Sequence, residues 1–101
     1  MRIEYKLELD KIDMPYFSIE SSEGIHKLFT LSATLLNLLE AKESVCVTIH
    51  GGSAQDPERK AKALEQIIES GRQEDRRYGF ERVRTGSIEN THYLWITIRR
   101  L

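Results

Sequence analysis

The sequence predicts an α+β two-layer sandwich of order β(β)αβαββ, with two helices on one face of a mixed four- to five-stranded sheet. Three observations predict it. Apolar and polar residues alternate at period two near both ends of the chain and once in its middle. Two longer segments between these stretches change to the i, i+3, i+4 spacing of amphipathic helices. Each element therefore carries an apolar face, and helices packed on a one-sided sheet bury such faces in two layers. The 101 residues fit a single domain spanning 1–101.

The first predicted strand covers residues 2–10. Ile3, Tyr5, Leu7 and Leu9 share one face, and Arg2, Glu4, Lys6, Glu8 and Asp10 share the other. This alternation reads as a strand rather than as a secretory signal. Lys11 to Pro15 reads as a turn, and Phe17 and Ile19 as a second short strand paired to the first. From Gly24 the period becomes helical, with Ile25, Leu28, Phe29, Ser32, Leu36 and Leu39 on one stripe. Ser21 or Ser22 caps the start. Leu31, Leu35 and Leu38 form a second apolar stripe, so this helix needs a partner beyond one sheet face. That partner is the other helix or another subunit, and the sequence points to a homodimer.

Val45, Val47 and Ile49 alternate with Cys46, Thr48 and His50 as the next strand. Gly51 to Gln55 is a loop. Asp56-Pro57 starts the second helix, with Asp56 as the predicted cap and proline in the first turn. Ala61, Leu64, Ile67 and Ile68 give its apolar stripe, and Gly71 is its predicted stop. Phe80 to Thr85 reads as a strand of imperfect alternation, Gly86 to Asn90 as a hairpin loop, and Tyr93 to Arg100 as the last strand. A parallel strand–helix–strand step over residues 17–49 would be right-handed. The predicted core is Leu28, Leu36, Leu39, Val45, Val47, Leu64, Ile68, Ile96 and Ile98.

Charge and chemistry narrow the function. The net charge is −1, unlike the large positive excess of many nucleic-acid proteins. The charge is uneven, however. Residues 72–101 hold seven arginines, no lysine and four acids, while residues 1–71 carry a net −4. Arginine suits bidentate phosphate contacts and stacking on bases. With Leu94, Ile96 and Ile98 turned to the helices, Tyr93, Trp95 and Arg99 face away, alongside Thr48 and His50. An open sheet face bearing aromatics and arginine fits a platform for unpaired bases, and it fits a subunit interface equally.

His26, His50 and His92 are scattered and share no metal-ligand spacing with Cys46. No nucleophile–base or paired-carboxylate motif appears. One cysteine makes no internal disulfide, and no stretch approaches 18 consecutive apolar residues. The reading is a cytoplasmic, non-enzymatic module without cofactor, metal or membrane span. Arg82, Arg84, Arg99 and Arg100 are the candidate phosphate contacts, and Tyr93 and Trp95 the candidate base contacts. The alternative is a protein-interaction or regulatory module, a small inhibitor or adaptor, that homodimerises through its first helix or its sheet face.

Several segments carry a resemblance. Phe17-Ser18-Ile19, Ala33-Thr34-Leu35-Leu36, Val45-Cys46-Val47-Thr48-Ile49, Gly52-Ser53-Ala54, Thr85-Gly86-Ser87 and Trp95-Ile96-Thr97-Ile98-Arg99-Arg100 are similar to successive elements of the Alba family of small chromatin and RNA-binding proteins. The resemblance covers residues 17–101 and implies nucleic-acid binding through the closing hairpin. Where the family carries a lysine pair after its first strand, this chain has Ser22 and Glu23, and roughly Gln55 to Pro57 is inserted before the second helix. The C-terminal domain of bacterial translation initiation factor three resembles the chain in the same element order, with Arg2 to Asp10 then as the first strand.

Overall fold

The computed structural model describes residues 11–14 and 18–101. The elements run β1 (Lys11–Asp13), α1 (Ser22–Ala41), β2 (Ser44–Gly51), α2 (Asp56–Gly71), β3 (Tyr78–Ile88) and β4 (Thr91–Arg100). The strand order is β1-β2-β4-β3. β2 and β3 flank β4 antiparallel, and β1 joins β2 in parallel over three residues.

The two-layer α+β class stands, but the expected sheet is corrected. Its body is three antiparallel strands, not a mixed sheet of four to five. The parallel pairing among the described residues is only Lys11–Asp13, where a turn was expected. The strand expected at residues 17–20 is absent over Ser18–Glu20, which leads into a turn. The strand read at residues 2–10 lies outside the described residues. Short pairing at 11–13 leaves no room for a period to show in sequence, and the Met14 N–H extends it by donating to the Thr48 carbonyl at 2.9 Å.

Turn and helix meet closely at Gly24. A β-carbon there would lie 1.6 Å from the Ser18 carbonyl oxygen, so this first-turn position accepts only glycine without movement. Ser21 is the cap, its Oγ accepting the Gly24 N–H at 3.0 Å. The buried stripe of α1 is Leu28, Ser32, Leu35 and Leu39. Leu36, expected in the core, is half-buried at the seam with α2, close to Gly71. The Ser32 hydroxyl is buried and donates to the Leu28 carbonyl at 2.8 Å, so a polar residue fits this stripe at no cost in unpaired groups.

Asp56 does not cap α2. Gln55 occupies that position without a side-chain bond, and the Asp56 carboxylate accepts the Gly52 N–H at 3.1 Å, closing the loop after β2. Ala61, Leu64 and Ile68 bury against Val45, Val47, Ile49, Leu94, Ile96 and Ile98, the helix-facing positions of β2 and β4. Ile67 lies half-buried beside Leu36's seam. The helix ends at Gly71, as the sequence predicts.

The hairpin is longer and tighter than expected. Gly86, Ser87 and Ile88 pair with Tyr93, His92 and Thr91, leaving only Glu89-Asn90 as the turn, with Glu89 in the left-handed region at φ 55°. The imperfect alternation of β3 has a cause. Arg82 pairs with Ile96 and Arg84 with the next residue along, Trp95, so Val83 is an extra residue in a β-bulge.

Candidate nucleic-acid interface

The face of the sheet away from the helices carries an aromatic row. His50 on β2 stands opposite Tyr93 on β4, ring centres 5.0 Å apart and edge to face. Tyr93 stacks on Trp95 at 5.6 Å with 21° between ring planes. The Arg84 guanidinium carbon lies 4.4 Å from the centre of the Trp95 ring. A cation held over an indole face at this distance is attracted by the ring quadrupole. Arg84 makes no ion pair among the described residues.

Gly86 makes room for this row. A β-carbon there would meet the indole ring at 3.1 Å, so Trp95 lies across the edge strand only because position 86 has no side chain. Thr48 and Thr97 are buried between the larger side chains of this face, and Thr97 Oγ1 lies 3.7 Å from the Cys46 sulfur. Arg99 continues the face beyond Thr97, with Glu81 at 3.6 Å.

The six residues singled out from sequence are thus divided. Arg84, Tyr93 and Trp95 come together, and Arg99 shares their face. Arg82 turns to the helix side, where its guanidinium forks onto the Glu58 carboxylate at 3.2 and 2.6 Å and also pairs with Glu65. Arg100 donates from Nη1 to the Leu39 and Glu40 carbonyls, both at 3.0 Å, and so closes the C-terminal end of α1. His50 belongs to the row and was legible as a member of this face. Gly86 was missed, because glycine followed by serine reads as a loop.

Beside the row, His50 contributes backbone as well. Its carbonyl accepts from the buried Lys60 ammonium at 2.6 Å. Burial lowers the Lys60 pKa, and the carboxylates of Asp56 and Glu20 oppose that shift.

Comparison with protein families, with curated proteins and with solved structures finds no match to this chain. Among the described residues, no helix is long and apolar enough to cross a membrane. What the fold and the site define is a class: a two-layer α+β protein with an aromatic, arginine-bearing sheet face.

Proposed function

We propose that the protein is a cytoplasmic, non-enzymatic nucleic-acid-binding module that stacks unpaired RNA or DNA bases on its outer sheet face. The observation that carries this reading is the contiguous row of His50, Tyr93, Trp95 and Arg84. Base–aromatic stacking contributes about 1–3 kcal/mol per base and is tolerant of sequence. Arg84 and Arg99 supply the phosphate contacts, while Arg82 and Arg100 serve the fold. Membership of an Alba-like family is part of the same proposal, and it draws support from the β-α-β-α-β-β element order.

Two arginines give a shallow electrostatic term. On single strands, each neutralised phosphate contributes about −0.7 to the salt slope, so a slope of about −1.4 is expected. Trp95 is the one tryptophan of the chain, which makes its fluorescence a report from the site itself. Titration with oligo(dT) at low salt should quench it, and Trp95→Phe should retain more affinity than Trp95→Ala. Absence of quenching with every oligonucleotide tried would overturn the reading.

A second reading has an observation of its own. Phe29 is 55% exposed beside a groove of about 570 Å³ between α1 and α2, lined also by Ala33, Leu36 and Ile67. An exposed aromatic beside an apolar groove favours a protein-interaction module that homodimerises through α1. Light scattering at high micromolar concentration tests it, with Phe29→Asp expected to give a monomer from a dimeric parent.

A further inference from the structure

The groove between α1 and α2 continues past Leu36 toward the C-terminal ends of both helices. Its first stretch, about 570 Å³, carries Phe29, Ala33, Leu36, Ile67 and Gly71 in its lining and no charged side chain. Its second stretch, about 260 Å³, shares Ala33, Leu36 and Gly71 and adds Asn37, Glu40, Arg72, Gln73 and Tyr78. Gly71 leaves room where the two meet, because a β-carbon there would lie 3.1 Å from the Leu36 side chain. Both stretches together have the scale of a small-molecule site, roughly 300–1,000 Å³.

The polar end holds donors that the fold leaves unused. Tyr78 is only 7% exposed, yet its hydroxyl makes no hydrogen bond among the described residues. Most buried polar groups are paired, so this one calls for an acceptor. The charges that act on the hydroxyl are those of Glu40, Arg76, Arg100 and Arg72. Glu40 and Arg72 line the second stretch, so the hydroxyl lies at that end. Burial, with Glu40 adding to it, holds the phenol above its ordinary pKa against the three arginines, so the group stays protonated and donates. Arg72 donates through Nε to Glu69 and through Nη1 to the Gln73 and Arg76 carbonyls. Its Nη2 has no acceptor among the described residues. The Glu40 carboxylate is taken by Arg76, in a fork at 3.2 and 2.9 Å. A neutral donor and a cationic donor remain, which suits an anionic head with two oxygens.

We propose that this groove binds a medium-chain fatty acid, with its carboxylate on Tyr78 and Arg72 and its tail along Ala33, Leu36 and Ile67 toward Phe29. Phe29 and Leu36 are two helical turns apart, about 10 Å, a length comparable to the tail of octanoate. A peptide fits the first stretch poorly. The Ser32 hydroxyl in its lining already donates to the Leu28 carbonyl, and a peptide backbone laid over hydrocarbon leaves amides unpaired. A chain of methylenes brings no such groups. This site stands apart from the nucleic-acid reading, because Tyr93 and Trp95 lie on the other face of the sheet. It gives to a small molecule the groove that the dimer reading gives to a second copy.

The test follows backbone amide shifts at Asn37, Gly71 and Gln73 in the whole chain, titrated with octanoate below its micelle-forming concentration. Octanoate should bind at least roughly tenfold more tightly than octylamine or octanol, the scale of one hydrogen bond to a charged group. Butanoate should bind more weakly than octanoate, since each buried methylene contributes about fourfold. Tyr78→Phe removes one oxygen and should cost octanoate roughly tenfold and octanol less. Ala33→Trp fills the groove from an exposed helix position and should abolish the shifts even if Tyr78→Phe folds poorly. Light scattering on the same samples reads the competing occupant. A dimer that Ala33→Trp splits, with no response to octanoate, would overturn the proposal in favour of a second copy. Octylamine, octanol or butanoate binding as tightly as octanoate would overturn it, and so would shifts that survive Ala33→Trp or are unchanged by Tyr78→Phe. Tighter binding of a leucine-rich peptide would overturn it in favour of a protein partner. Quenching of Trp95 by oligo(dT) reports the stacking row separately, so the row can fail while the groove stands, and the reverse.

Discussion

Arg82 and Arg84 stand two positions apart on β3, yet they serve opposite faces of the sheet. Strict alternation would put both on one face. The bulge at Val83 sets Arg82 opposite Ile96 and Arg84 opposite Trp95, two neighbours that face opposite ways. Arg82 therefore reaches Glu58 and Glu65 on α2, and Arg84 lies over the Trp95 ring. One inserted residue decides which arginine lies over the aromatic row and which pairs with α2.

Replacing the two arginines separately should give opposite phenotypes. Arg84→Ala should weaken oligo(dT) binding and reduce the magnitude of the salt slope by about 0.7. Its unfolding free energy should stay within about 0.5 kcal/mol of the parent, as for an exposed position. Arg82→Ala should leave the salt slope as it is and lower stability by about 1 kcal/mol, the scale of a partly exposed ion-pair network. Salt-titrated fluorescence and urea unfolding measure both quantities. If Arg82→Ala changed the slope as much as Arg84→Ala, the bulge would not be sorting the two.

Gly86 offers a test of the row without touching any member of it. Gly86→Val should push the indole off the edge strand, because even a β-carbon meets the ring at 3.1 Å. Binding should weaken by up to the value of one stacked base, about 1–3 kcal/mol. The emission of Trp95 should move at the same time, since its ring loses both its seat and the Arg84 contact. Unchanged emission would mean that the ring does not rest on position 86.

The helices and the two central strands were legible in sequence because each repeats its apolar period over several turns or pairs. The phase of α1 was not. Leu28, Leu36 and Leu39 make as good a stripe as Leu28, Leu35 and Leu39, Ser32 belongs to either, and only the packing of the folded chain buries Leu35 and leaves Leu36 at the helix seam. The outer sheet face was legible because Tyr93, Trp95, His50 and Thr48 follow directly from the alternation of β2 and β4. The positions of Arg82 and Arg100 were not. Val83 is apolar and hides the bulge, and nothing in a local window places Arg100 under the end of α1, some sixty residues away in sequence.

The phase of α1 can be measured directly. Leu35→Ala should cost about 2–5 kcal/mol, as expected for a fully buried leucine. Leu36→Ala should cost distinctly less, since its side chain lies half-buried at the helix seam. Urea unfolding of the two variants gives the order. The reverse order would restore the phase first read from sequence.

Stability should also carry a signature of Glu58 at acid pH. The Arg82 hydrogen bonds hold the Glu58 carboxyl below its ordinary value of 4.5, against a weaker opposing effect of burial. In the unfolded chain the carboxyl returns to that ordinary value. A carboxyl whose pKa falls on folding contributes stability that is fully present above the unfolded value and is lost as the pH drops through the folded one. Glu58→Gln has no such titration, and it leaves Arg82 its bond to Glu65. The stability difference between parent and variant should therefore be constant well above pH 4.5 and shrink as the solution is acidified below it. Glu20, which is also held low by Ser18 and Arg59, is common to both proteins and cancels in the difference. Urea unfolding of the pair across the acid range measures this directly. A difference that stayed flat with pH would show that Arg82 does not hold Glu58.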